Sequence, residues 1–408
     1  MANVLRASAI LIIFSSVNIA QAAEFEAHPS LAVSEEFTDN VLESNVNRVS
    51  DFITRVQPGL AMTYNAPMLT GDLTYVFDYR NYAKNNHDDE IAHALSAKAN
   101  LNAVKDLLFL EVSDEYQRVS LDATRDTTKE SLFVNQSDRN IVTASPYFIL
   151  HPSQRMLIKT GYKFMDTRYF KSVAIDKTNH IGYLDMAYEL SKRFNLTANY
   201  TFTRETADVD NYRQHQALGG FRYEYSDQSF LFAQAGNAWT RYDSGQHLNK
   251  LIWNAGITQV FNTVTCTVTT GVRYDEDPLR NIMQETFVSG IITQKLNRGS
   301  LSFSPGYSEY VLTKTNYLQT KKYGATVNGQ YDFTASFSGR LGVTAERYQQ
   351  PQLGSYTRRV IVDSGLSYLL ARQLSLSLNY IYVDYYSPEI VTDNRHINRA
   401  IIVISKTF

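Results

Sequence analysis

Residues Leu60, Met62 and Tyr64 are large and apolar, and Ala61 and Thr63 between them are small or polar. The same alternation returns at Leu73-Tyr75-Phe77-Tyr79, Leu196-Ala198-Tyr200-Phe202, Val264-Cys266-Val268, Leu341-Val343-Ala345 and Leu374-Leu376-Leu378-Tyr380. Successive side chains of a strand point to opposite faces, so a period of two gives one apolar and one polar face. Many such segments of roughly ten residues, joined by turns, are the sequence signature of a transmembrane β-barrel.

The connections alternate in length. Long polar segments fall near 38–50, 83–90, 120–139, 171–178, 205–211, 243–249, 275–281, 313–319, 348–356 and 385–396. Tight turns fall near 65–69, 104–106, 151–154, 191–193, 226–228, 262–263, 297–299, 333–336 and 371–373. Outer-membrane barrels have long extracellular loops and short periplasmic turns. The expectation is an all-β chain: one antiparallel up-and-down barrel of about twenty strands, eighteen being the alternative, with both ends periplasmic. A multidomain sandwich would show linkers, and a solenoid would show a fixed repeat; neither is visible.

No apolar stretch after the N-terminus approaches the roughly 20 residues of a membrane helix. Tyr 28 and Phe 21 against Trp 2 is an aromatic load that suits strands and interfacial girdles. A net charge of -2 gives no nucleic-acid footprint. The single cysteine, Cys266, excludes an internal disulfide and a thiolate metal cluster. It falls on the apolar face between Val264 and Val268, as a small hydrophobe would.

Arg6 followed by the apolar run Ala7 to Val17 and by Ala20-Gln21-Ala22 reads as a secretory signal peptide, residues 1–22. Residues 23–408 are then the barrel, expected to be integral to a Gram-negative outer membrane. The final segment puts Ala400, Ile402, Ile404 and Phe408 on one face, the terminal pattern that barrel-assembly machinery recognises. Lys406 departs from it and is expected to snorkel to the periplasmic boundary. Outer-membrane lipid and that machinery are the expected partners. No cofactor is expected.

Assigning the apolar set to lipid leaves a polar set for the lumen. The expected pore-lining charges are Asp72, Asp78, Arg80, Lys98, Glu111, Glu115, Lys159, Lys163, Asp185, Glu189, Arg222, Glu224, Arg273, Asp332, Arg340, Glu346, Asp363 and Arg399. Both signs occur in similar number, so they either pair along the wall or line a hydrated path without a charge preference. Arg80, Arg222, Arg273 and Arg340 are expected to face water. No plug segment precedes the first strand, so the lumen is expected to be open unless a loop folds in. The segment 120–139 is the candidate for constriction.

Catalysis is not expected. His87-Asp88-Asp89-Glu90 is an acidic loop with a histidine, but contiguous residues on one loop do not converge as a base, an orienting group and a positioned water must. His215 lacks any motif marking a nucleophile.

The segments Ser30 to Val41, Ser50 to Leu60 and Asp72 to Tyr75 carry Asp39-Asn40 after the first strand, then Ser50-Asp51-Phe52 with Thr54, Val56 and Pro58-Gly59-Leu60. They resemble the PEP-CTERM system-associated outer-membrane proteins, within a wider porin-like barrel group. That resemblance implies an outer-membrane barrel beside exopolysaccharide synthesis, with polysaccharide and periplasmic export machinery as partners. It carries over no catalytic or binding residue. The expected function is a conduit for a polysaccharide or another polar solute. The alternatives are a structural barrel of an envelope complex, or a sheath around a partner electron-transfer cytochrome.

Overall fold

The computed structural model describes residues 23–128, 131, 134–171, 173–279 and 282–408. The expected signal segment 1–22 lies outside them. Twenty strands follow one another along the chain. They are β1 (Glu24–Thr38), β2 (Asp51–Asn65), β3 (Leu69–Tyr82), β4 (Glu90–Val104), β5 (Leu108–Ser120), β6 (Gln136–Ser153), β7 (Met156–Tyr169), β8 (Lys177–Ser191), β9 (Phe194–Ala207) and β10 (Tyr212–Ser226). Then come β11 (Ser229–Tyr242), β12 (His247–Phe261), β13 (Val264–Glu276), β14 (Ile282–Leu296), β15 (Gly299–Leu312), β16 (Tyr317–Asp332), β17 (Phe337–Gln350), β18 (Ser355–Ala371), β19 (Leu374–Tyr386) and β20 (Arg395–Thr407). Each pairs antiparallel with its neighbours in sequence, and β1 also pairs with β20 from Thr38↔Arg399 to Ser30↔Thr407. The sheet therefore closes, and no strand is left as an edge to recruit another chain.

One end of the barrel carries the tight turns. Several of them hold a non-glycine residue in the left-handed region: Asp106 at φ 57°, Gln228 at 59°, Asn262 at 41° and Gln373 at 61°. Asx side chains tolerate that region because their short polar groups bond locally. The other end carries the loops. The connections at 39–50, 121–135 and 387–394 are long, whereas 208–211, 243–246, 313–316 and 351–354 shrink to four residues. Polar character overstated these loops, because pairing runs on through it: Gln350 is in register with Ser355, and Arg241 with His247.

The outer face is apolar around the wall. Leu196, Val268, Ile292, Phe303, Leu341, Leu378 and Ile404 are all exposed there. Contiguous apolar surface on this scale is foreign to monomeric soluble proteins and matches the hydrocarbon-facing band of membrane barrels. Buried residues gather instead inside the loop end, in small clusters such as Val41, Ile53 and Tyr82, or Val383, Tyr385 and Ile397. Lys406 stands at the turn end, its Nζ donating to the Arg372 carbonyl at 3.2 Å.

Candidate functional site: the barrel interior

A contact between strands many places apart around a closed barrel runs across its inside or its mouth. Lys177 on β8 donates Nζ to the Asp277 carbonyl beyond β13 at 2.7 Å. Arg359 on β18 donates Nη1 to the Asp126 carbonyl beyond β5 at 2.7 Å. Directly paired residues share a face, so register carries the inner face from strand to strand. It reaches Asp72, Asp78 and Arg80 on β3, Lys98 on β4, and Glu111 and Glu115 on β5. It continues through Lys159 and Lys163 on β7, Asp185 and Glu189 on β8, and Arg222 and Glu224 on β10. Arg273 on β13, Asp332 on β16, Arg340 and Glu346 on β17, Asp363 on β18 and Arg399 on β20 follow. The parity still agrees where β20 meets β1.

These side chains do not converge on one point. Several of them form separate pairs around the ring. Lys98 meets Glu111 at 3.3 Å, Arg340 meets Asp363 at 3.3 Å, Arg222 approaches Glu224 at 3.7 Å, and Arg273 donates Nε to Glu285 at 2.6 Å. Lys159 and Arg222 also lie over inward rings, 4.2 Å from the Tyr147 centroid and 3.4 Å from that of Phe230. The first needs a glycine opposite: a Cβ on Gly161 would come within 2.6 Å of the Tyr147 Cβ and 2.8 Å of the Tyr183 hydroxyl.

Arg80 departs from the expectation that it faces water. It is 8% exposed. It sits in a chain of ion pairs from β2 to β6: Arg55–Asp78 at 2.6 Å, Arg80–Asp78 at 2.8 Å, Arg80–Glu90 at 3.1 Å, Arg118–Glu90 at 2.5 Å and Arg118–Asp138 at 2.9 Å. Arg399 is likewise enclosed, against Glu36. Glu36, Arg55, Glu90, Glu285 and Arg359 are interior or mouth charges that alternation did not pick out. Most lie near strand ends, beside a second charged or polar residue such as Glu35 or Arg358, which hides the parity.

The loop end is narrowed by two intrusions. The first is the 121–135 connection, whose described part turns inward. The Arg125 guanidinium lies 4.8 Å from the Tyr348 ring centroid and 5.6 Å from that of Tyr385. Arg359, which also grips Glu346 through Nε at 2.7 Å, caps the Asp126 carbonyl. Lys322 at 3.0 Å and the Tyr348 hydroxyl at 2.7 Å complete the surroundings of Glu346. The sequence marks 120–139 as the candidate for such a constriction; its anchors on β16–β19 are not legible there.

The second intrusion was not expected. Pairing between β12 and β13 stops at Asn254↔Gly271, but β13 and β14 stay paired to Glu276↔Ile282. The end of this hairpin leaves the wall. Val272 clusters with Ala238 and Ile252, and Ile282 with Tyr212 and Tyr242. The 313–316 loop braces it: Thr313 accepts or donates at 2.9 Å with the Tyr242 hydroxyl, and Lys314 meets Asp210 at 2.6 Å.

Below the first intrusion a cavity of about 740 Å³ opens along the inner wall of β15–β18. Asp126, Lys322, Glu346 and Arg359 form its upper part, and Ser302, Asn328 and Thr344 lie deeper. Ser300, Ser302, Thr326, Asn328, Gln330 and Thr344 share this wall with the ion pairs Arg340–Asp363 and Arg359–Glu346. Such a surface can exchange hydrogen bonds with a hydrated polar solute without selecting a charge.

The acidic loop does not assemble a reactive centre. Asp89 accepts from the Tyr79 hydroxyl at 2.7 Å and the Asn81 amide at 3.0 Å, Glu90 is held by two arginines, and the His87 ring lies 4.9 Å from that of Tyr82. The Tyr79 and Asn81 hydrogen bonds hold the Asp89 carboxyl below its usual pKa. His215 lies on the outer face, its Nδ1 2.7 Å from the Tyr200 hydroxyl. Among the described residues no group of three or more His, Cys, Asp or Glu is placed to hold a metal ion.

The interior and wall together define an outer-membrane-type barrel. Among solved structures the chain is similar to the siderophore receptor PirA from Pseudomonas aeruginosa, with a TM-score of 0.55 and 9% identity, covering 95% of this chain and 81% of that one. The ferric-catecholate import receptor Fiu from E. coli K12 follows at a TM-score of 0.47 and 10% identity, covering 94% and 82%. The outer-membrane protein OpdK from Pseudomonas aeruginosa aligns at 0.44 and 11%, covering 94% and 98%. At such identities the likeness speaks to the fold alone. No family model matches the chain, and no curated protein does.

Proposed function

We propose that the chain is an integral outer-membrane channel for polar solutes, with its loop end extracellular and narrowed by the 121–135 connection and the β13–β14 hairpin. The observation that carries this reading is the inner wall. Many of its charges are neutralised in pairs, such as Lys98–Glu111 and Arg340–Asp363, and hydroxyls and amides stand among them in the cavity beneath the narrowed mouth. The apolar outer face supports placement in a bilayer, since a charge there would cost about 2–4 kcal/mol at the midplane. The finer setting, export or assembly of an exopolysaccharide, rests on the resemblance of the first hundred residues, and a wall of hydroxyls and amides among paired charges of both signs suits such a solute.

The 121–135 connection anchored on β16–β19, with the β13–β14 hairpin turned in over β10–β12, disfavours a sheath around a folded cytochrome, which would need that space. The purified barrel in planar bilayers tests the channel. Discrete conductance steps that rise when neutral oligosaccharide is absent and fall when it is added support the reading. A barrel that inserts but never conducts would leave the structural role in its place.

A further inference from the structure

Register aligns a row of basic side chains on the outer surface. His180 on β8 is opposite Arg204 on β9, Arg204 opposite Arg213 on β10, Arg213 opposite Arg241 on β11, and Arg241 opposite His247 on β12. All five are exposed. None of the three guanidinium groups has an ion pair or hydrogen bond among the described side chains. The nearby carboxylates are engaged elsewhere: Asp166 with Arg168 and Thr178, Asp210 with Lys314, and Asp243 with the Asn211 amide. Asp208 stands beyond the strand end, in the 208–211 loop.

Like charges directly opposite one another in a sheet repel. Three consecutive arginines with no acid among them therefore leave an unmet demand for an anion. Their forked donors match phosphate oxygens two at a time.

The surface one step nearer the turn end says what kind of anion. There Phe202, His215 and Trp239 lie opposite one another in the same register. The His215 ring is held by the Tyr200 hydroxyl and by the Phe202 ring, 4.9 Å away. The wall then continues through exposed Leu196, Tyr200 and Leu251. Aromatic girdles mark the boundary between hydrocarbon and headgroups. The basic row thus stands at headgroup height, with an apolar surface below it.

We propose that this row docks the phosphate-bearing headgroup of a lipid in the leaflet at the loop end, with the acyl chains lying on the aromatic and aliphatic wall beneath. The site is separate from the lumen and needs only that the barrel sits in a membrane.

The test uses the full barrel in phosphatidylcholine nanodiscs, titrated with a bisphosphorylated glycolipid or its dephosphorylated counterpart, with bound lipid counted by native mass spectrometry. Wild type should prefer the phosphorylated form by about ten-fold or more, the scale of one or two charge-assisted contacts. The triple variant R204Q/R213Q/R241Q should lose the preference while keeping heat-modifiable mobility. The charge-matched control R155Q/K192Q/R193Q, at the turn end, should keep it. No preference in wild type, or an undiminished one in the triple variant, overturns the proposal. Competition by millimolar inorganic phosphate as strong as that by the lipid would make this a free-phosphate site and also overturn it. Should the triple variant not fold, Arg213→Gln alone is read, and an unchanged preference counts against the site. The assay does not read conduction, so a barrel that binds the lipid but never conducts refutes only the channel.

Discussion

Arg399 on the last strand clasps Glu36 on the first, its Nε 2.5 Å from Oε1 and its Nη2 2.9 Å from Oε2, with both side chains almost wholly buried. The pair spans the seam where the barrel closes. Removing one partner leaves a buried charge unmatched, which costs about 3–5 kcal/mol. Glu36→Gln or Arg399→Ala should therefore lower the unfolding free energy of the detergent-folded barrel by that amount, read as a lower denaturant midpoint at unchanged slope. The double variant with an apolar pair should recover much of it. An unchanged midpoint in the single variants would mean that the β1–β20 ladder alone holds the seam.

The strap across the mouth rests on Arg125 and Arg359. Arg125→Ala removes the cation over two tyrosine rings, and cation–π contacts of this kind are worth about 0.5–2 kcal/mol. The barrel should fold normally, and single-channel conductance in planar bilayers should rise. A conductance equal to that of wild type would show that the strap does not limit flow.

Val268 is half exposed on the outer wall, whereas Thr269 beside it points inward and bonds Ser289 at 2.8 Å. Val268→Arg should cost about 2–4 kcal/mol and impair assembly. Thr269→Arg should fold and change ion preference. The opposite result would put the register of β13 off by one residue, which exchanges its two faces.

Acid should loosen the brace at the loop end. Burial raises the Asp210 carboxyl, but the hydrogen bond and charge of Lys314 outweigh it and hold it below the usual carboxylate range. A depressed carboxyl contributes stability above its unfolded pKa and loses it as pH falls through the folded one. The Lys314–Asp210 contact should thus be intact at neutral pH and released only when the pH falls below the ordinary aspartate range. Conductance against pH should reflect that, and Asp210→Asn should remove the acid-dependent component.

The alternation at Leu60-Met62-Tyr64 and at Leu374-Leu376-Leu378-Tyr380 is enough to specify strands and their two faces, and its recurrence their number to within two. Each side chain's face follows from parity alone, and the turns are marked by residues such as Asn262 and Asp106. Interior residues in regular mid-strand positions, such as Lys159 and Asp363, are legible for the same reason. Glu36, Arg55 and Arg359 escaped because parity fades near strand ends, where both faces become polar.

What tertiary structure alone decided is the state of the interior. Nothing local to Arg125 or Asp126 indicates that they meet Tyr348 and Arg359, more than two hundred residues later. Nothing local to Gly271 marks where β13 leaves β12 so that Val272 can reach Ile252. The same holds outside: Arg204, Arg213 and Arg241 are isolated surface charges in the sequence and a single row only once three strands are in register. A strand's pattern is a one-dimensional property of its backbone, set residue by residue. The meeting of distant side chains depends on how the whole sheet closes, and that closure is settled by the register of all twenty strands together.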